Sequence, residues 1–192
     1  MELYQAIRGR RSIRKFKPDP VPKELVHKVL DAANWAPSGV NLQQWKFYVV
    51  SGPKRDQIAA SYGRITERNY PPDGERSQQQ ESFLAWAKTY GGAPLIIVAT
   101  MPRDDQQPRR RKMHLESVSA AFQNLLLAAY AEGLGTCWMT GPLAAEAELV
   151  EILQLPADEE IVALTPLGYP DQVVEEKPRL DPDLKEKVIW LK

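Results

Sequence analysis

The chain has 192 residues, 43% of them hydrophobic, with 25 Lys+Arg against 25 Asp+Glu and a formal net charge of zero. That length carries one cored domain over 1–192, and the charge balance argues against nucleic acid as the main partner, which needs a net basic face. One cysteine, Cys137, and two histidines, His27 and His114, exclude an internal disulfide and leave too few ligands for a transition-metal centre. No run approaches the length of a membrane span and the first residues are too charged for a signal peptide, so a cytoplasmic protein off the membrane is expected.

Glu2 to Arg8 has helical spacing, followed by a basic cluster and then by Pro18, Pro20 and Pro22, which forbid regular structure. Lys23 to Ala36 repeats apolar residues at the helical period and stops at Pro37. Pro37 to Asn41 reads as a turn, Phe47 to Val50 as a strand and Lys54 to Tyr62 as a helix. The polar stretch 64–80, broken by Pro71, Pro72 and Gly74, predicts a loop, and about 64–92 is expected to be a mobile excursion over a site. A helix over Ser82 to Tyr90, a buried strand over Leu95 to Thr100 and a charged loop over Arg103 to Lys112 follow. Leu115 to Glu132 is apolar nearly all round, as a buried or interfacial helix is, and Gly133 and Gly135 end it. Thr136 to Thr140 and Ile161 to Leu167 read as strands around a helix at Ala144 to Leu153, and Val188 to Leu191 as a strand-like tail without a local partner. The order of elements gives α/β or α+β.

Four groups of residues suggest chemistry. Arg10-Arg11-Ser12-Ile13-Arg14 places three guanidinium groups and a hydroxyl together, and such forks match phosphate oxygens. The turn Ala36 to Trp45 holds hydroxyl and amide groups that suit a polar heterocycle, or that satisfy local backbone. Gly133 to Leu143 runs a strand into a Gly-Pro turn where backbone can approach a flat ligand, and Lys177-Pro178-Arg179 adds two cations. Neither Gly-x-Gly-x-x-Gly nor a Walker Gly-Lys-Ser/Thr is present, and Cys137 has no histidine near in sequence. An enzyme of this composition needs an organic cofactor to carry its chemistry.

In order along the chain, Arg-Arg-Ser-x-Arg, Ala-Pro-Ser-Gly-x-Asn-x-Gln-x-Trp, Gly-Leu-Gly…Gly-Pro-Leu, Leu167-Gly168-Tyr169-Pro170 and Lys-x-Arg resemble the FMN-dependent nitroreductase superfamily. The resemblance implies an α+β fold with a mixed, largely antiparallel sheet flanked by helices, and a homodimer that exchanges its C-terminal strand and holds tightly bound FMN at the interface. It implies phosphate and ribityl contacts from Arg10, Arg11, Ser12 and Arg14, completed by Lys177 and Arg179, with Arg14 alternatively at the pyrimidine end of the ring. Pro37, Ser38 and Gly39 resemble contacts from the other subunit, Asn41 and Gln43 resemble ring or ribityl contacts, and Met139, Thr140 and Gly141 resemble the segment along the isoalloxazine. No metal is expected. The implied activity is ping-pong transfer of hydride from NADH or NADPH to a nitroaromatic, quinone or related small acceptor.

Glu67, Tyr70 and Lys88 are similar to the residues with which halotyrosine deiodinases of that superfamily hold an amino acid, at a different spacing; otherwise Tyr70 and Trp86 pack as a lid and Glu67 and Lys88 face solvent. Further alternatives are a flavin-binding protein without turnover and an anion-binding module without flavin.

Overall fold

The computed structural model describes residues 1–191; Lys192, the end of the expected domain, lies outside the described residues. Its helices are α1 (Leu3–Gly9), α2 (Lys23–Asn34), α3 (Gly52–Arg68), α4 (Gln78–Ala87), α5 (Pro108–Ala131) and α6 (Glu146–Leu153). Its strands are β1 (Lys46–Val50), β2 (Leu95–Pro102), β3 (Gly135–Thr136) and β4 (Glu159–Gly168), with short 3-10 turns at Gly39–Asn41, Tyr90–Gly92 and Gly141–Ala145. The strands lie in the order β1-β2-β4-β3 and every pair is antiparallel. The α+β expectation and a largely antiparallel sheet hold, and the parallel contact among the described residues is one bridge between Ser12 and Thr136.

Alternation along β2 explains how both sheet faces are covered. Ile97, Ala99 and Met101 join Val29 and Ala33 of α2 and Phe122 and Leu125 of α5, while Ile96 and Val98 join Ile58 of α3 and Leu149 of α6. A strand buried on both sides reads as one apolar run, which is why β2 and β4 stand out in the sequence.

Three segments depart from the expected elements. The helix expected to end at Tyr62 runs to Arg68, because Ile65 and Thr66 are buried in what looked like a polar loop. The charged run 103–112 is loop only to Gln107; Pro108 sits in the first turn of α5, where its missing N–H costs nothing. The strand expected over Thr136 to Thr140 survives as β3 and one bridge from Met139 to Leu164, since the Cys137 N–H donates to the Thr165 hydroxyl, at 2.9 Å, instead of a ladder carbonyl. Val188–Leu191 forms no strand within its own chain.

Buried Glu159 ties three strands together by accepting hydrogen bonds from Lys46, from Tyr48 at 2.8 Å and from Thr100 at 2.9 Å. Burial alone would push its carboxyl up, but the bonds from Lys46, Tyr48 and Thr100 outweigh that and hold it below the ordinary carboxylate range. A folded-state pKa below the unfolded value contributes stability above about pH 4.3, lost as pH falls through the folded value. Stability should therefore fall on acidification below about pH 4.3, and Glu159→Gln should flatten that fall. Denaturant titrations across this acid range check it, and an unchanged slope in the variant would refute it.

Candidate functional site

The basic cluster is built by the end of α1 and the segment after it. The Arg10 N–H closes α1 on the Ala6 carbonyl at 3.0 Å. Ile13 then donates to the Thr136 carbonyl at 2.8 Å, so the segment lies along β3. The C-terminal arm returns beside it: Lys17 donates to Tyr169 O and Asp171 to Lys15 O, both at 2.9 Å, and Arg11 reaches Glu176 at 3.4 Å. Between the two segments opens a cleft of about 260 Å³ lined by Arg10, Arg11, Ser12, Arg14, Val174, Glu175, Lys177 and Arg179. Two stretches some 165 positions apart thus meet in one cationic cleft.

Its charge is only partly neutralised from within, by Glu175 in the lining and by Glu176. Arg11 spends its guanidinium on the Arg8 and Arg10 carbonyls and on Glu176, whereas Arg10, Arg14, Lys177 and Arg179 have no carboxylate partner among the described residues. Burial first, then the nearby charges of Arg11 and Arg179, depress the Arg10 pKa, with only Cys137 opposing. Cations gathered in excess of counter-charge make a site that an anion relieves. Cys137 lies beside Ser12, Arg14 and Arg10, but burial pushes its thiol up, so it stays a packing group and not a nucleophile.

The segment from Cys137 to Gly141 continues from β3, and at its start Cys137 lies by Ser12 and Arg14. Met139 is buried, and its N–H and carbonyl both pair with Leu164, at 2.8 and 3.0 Å, so it is held in the core. Thr140 and Gly141 are exposed beyond it. A Cβ at Gly141 would come within 2.7 Å of the Tyr62 hydroxyl, which explains glycine there. Tyr62 opens an aromatic cluster with Phe83, Trp86 and Tyr90 on α3, α4 and the following turn. Only Trp86 of this cluster was singled out in the sequence; Phe83, Trp86 and Tyr90 fall at helical intervals that mark a common face.

Pro37, Ser38, Gly39, Asn41 and Gln43 do not join this cleft. Gly39 donates to the Ser117 hydroxyl at 3.1 Å and lies against Met113, near the start of α5, whereas Gly9 and Arg10 lie by Tyr130 at its end. Met113 and Tyr130 are about 25 Å apart at 1.5 Å per residue. The loop is self-supporting: the Gln43 N–H donates to Ser38 Oγ at 3.0 Å and the Gln43 amide to Asn41 Oδ1 at 3.0 Å. Val40, Asn41 and Gln43 all have left-handed backbone, with φ of 47°, 57° and 49°. For β-branched Val40 that is a strained conformation.

Glu67 and Lys88 come together, while Tyr70 meets Glu67 through its backbone N–H, which donates to the Glu67 carbonyl at 3.2 Å, and turns its ring to Phe83. Lys88 donates to Glu67 at 3.1 Å, Arg76 lies 3.8 Å from the same carboxylate, and the Tyr70 ring centroid is 6.4 Å from that of Phe83. Glu67 and Lys88 are roughly half exposed, paired with each other at the end of α3 and α4. No helix of the chain, among the described residues, is long and apolar enough to cross a membrane.

An antiparallel sheet in this order, sandwiched between helices and carrying a cation-lined cleft where α1 meets the C-terminal arm, defines the class of α+β fold found in nitroreductase-like structures. The chain belongs to the nitroreductase family, whose model matches residues 7–169. It is 30% identical over 178 residues to "Putative NAD(P)H nitroreductase YfhC" of Bacillus subtilis (strain 168), covering 92% of this chain and 89% of that protein. A solved nitroreductase-type structure from Desulfovibrio desulfuricans, in complex with FMN, superposes with a TM-score of 0.75 at 30% identity, over 98% of each chain. An oxidized iodotyrosine deiodinase bound to FMN and 3-iodo-L-tyrosine superposes with a TM-score of 0.78 at 27% identity, over 98% of this chain and 100% of that one. Membership supports an oxidoreductase that uses a flavin.

Proposed function

We propose that this chain is an FMN-dependent NAD(P)H oxidoreductase, active as a homodimer. The convergence of Arg10, Ser12, Arg14, Lys177 and Arg179 in one cleft, where none of the four cations is paired with a carboxylate among the described residues, carries the reading. That donor set fits a phosphate-bearing flavin: Arg10, Lys177 and Arg179 would hold the phosphate, Ser12 the ribityl chain, and exposed Thr140 and Gly141 would present backbone to the ring. Arg11, already engaged with Glu176, would tie the arm down. When bound, FMN supplies the group that takes hydride from NADH or NADPH and passes it, in a separate half-reaction, to a nitroaromatic, a quinone or a related small acceptor.

The loop from Pro37 to Gln43 is best explained as the other subunit's contribution, because about 25 Å of α5 separates it from its own chain's cleft. The C-terminal tail, with Ile189, Trp190 and Leu191 exposed, is the segment to be exchanged in that dimer. The region 64–92 would act as the movable cover of the acceptor side.

A specific observation favours a second reading, halotyrosine reductive dehalogenation by the same cofactor. The Glu67–Lys88 pair beside Tyr70 offers an anion and a cation to the two charges of an amino acid, and a related structure binds 3-iodo-L-tyrosine. One anaerobic experiment tests both. The purified protein should be yellow, bleach with NADH or NADPH, and recover colour on adding a nitroaromatic or quinone; recovery with 3-iodo-L-tyrosine and release of one iodide per flavin would favour the second reading. Colourless protein that cannot be reconstituted with FMN would refute both.

A further inference from the structure

Arg14 lines the same cleft as Arg10, Lys177 and Arg179 but also reaches an aromatic cluster. Its Cζ is 5.8 Å from the centroid of the Trp86 ring on α4. Its main chain is held against the same corner: Phe16 donates to the Gly91 carbonyl at 3.0 Å, and a Cβ at Gly91 would collide with the Arg14 carbonyl oxygen. Arg10, by contrast, feels Arg11 and Arg179, while Tyr62 is among the groups that feel Arg14. Among the cleft cations, Arg14 is thus the guanidinium that reaches toward Trp86 and Tyr62, whose hydroxyl lies by Gly141.

Trp86 is itself fixed by ring packing. Its centroid is 5.2 Å from that of Phe83, 6.0 Å from Tyr90 and 6.2 Å from Tyr62, and its buried Nε1 has no hydrogen-bond partner among the described residues. A guanidinium over an indole face is attracted by the ring's negative face, which holds a flexible side chain to one side of a cleft. A cation at the pyrimidine end of a bound flavin stabilises the more negatively charged, reduced form.

We infer that Trp86 is a positioning residue: its indole face holds the Arg14 guanidinium at the ring end of the cleft, so that the packing of α4 sets how readily the bound flavin is reduced. The inference rests on the FMN reading above, and it settles Arg14's two alternatives in favour of the ring.

The test is the midpoint potential of FMN bound to the parent protein, Trp86→Leu, Trp86→Phe, Arg14→Gln and the Trp86→Leu/Arg14→Gln pair, with thermal unfolding of each. Trp86→Leu and Arg14→Gln should each make the flavin harder to reduce. The ratio of affinities for reduced and oxidised FMN should fall by about threefold to tenfold, or about 15 to 30 mV for a two-electron couple. Trp86→Phe should recover part of the potential by restoring a ring face, and the double variant should shift no further than Arg14→Gln alone. A potential unmoved by Trp86→Leu while its melting temperature falls, or additive shifts in the double variant, would overturn the role of Trp86. Should Trp86→Leu fail to fold, Trp86→Phe with and without Arg14→Gln gives the same comparison. A parent protein that binds no FMN refutes the flavin reading, whereas bound FMN with an unmoved potential refutes only this inference.

Discussion

Alanine at Arg10 or at Arg179 is expected to weaken FMN retention by about 1.5 to 3 kcal/mol each, roughly ten- to a hundredfold or more in dissociation constant, the loss that follows when a charge-assisted phosphate bond disappears. Arg10 should show the larger effect. Its guanidinium is partly desolvated and unpaired, so an incoming anion meets little competition from water or from a carboxylate. Arg179 is more exposed on the arm, and salt should screen its contribution more. Fluorescence titration of apo-protein with FMN at two ionic strengths measures both. Unchanged affinity in both variants would mean that the cleft does not hold the phosphate.

The second large effect is on stability. Phe122 is fully buried on α5, and its ring meets that of Trp138 edge to face, with centroids 4.7 Å apart at 78°. Phe122→Ala should cost about 3–5 kcal/mol, from lost transfer energy plus the cavity left in a close-packed core. For a chain of this size that lowers the melting temperature by about 6 to 20 °C. Leu115→Ala, on the same helix but 39% exposed, serves as the control and should lose far less. Calorimetry of both decides, and a Phe122→Ala shift no larger than the control's would show that the α5 core does not bear the fold.

What the sequence disclosed and what it hid divide along physical lines. Periodicity exposed α2, β2, β4 and most of α5, because each buries enough surface for its pattern to dominate. It failed at 64–68, where buried Ile65 and Thr66 sit among the charged neighbours Arg64, Glu67 and Arg68 and the local composition imitates a loop. At 108–112 the basic run obscured a helix whose Pro108 was the better signal, and two of those cations are held by Asp104 and Glu160 and are not free in solvent. The shortening of the strand after Thr136 depends on the Thr165 hydroxyl, 28 positions away, which no local reading finds. Of the site, Arg10 to Arg14 and Lys177 to Arg179 were legible as cations, but their meeting is a product of the pairing between 15–17 and 169–171. The separation of the Pro37 to Gln43 loop from that cleft needed the length of α5.

The left-handed run at Val40, Asn41 and Gln43 has a consequence for energetics. A supple loop surrenders conformational entropy when it meets a ligand or a neighbouring chain, and that loss is subtracted from the affinity. Here Ser38 and Ser117 already hold the loop in a shape that costs about 1–3 kcal/mol at a β-branched residue. The expense falls on folding, so whatever docks against this loop meets a mould that has already set.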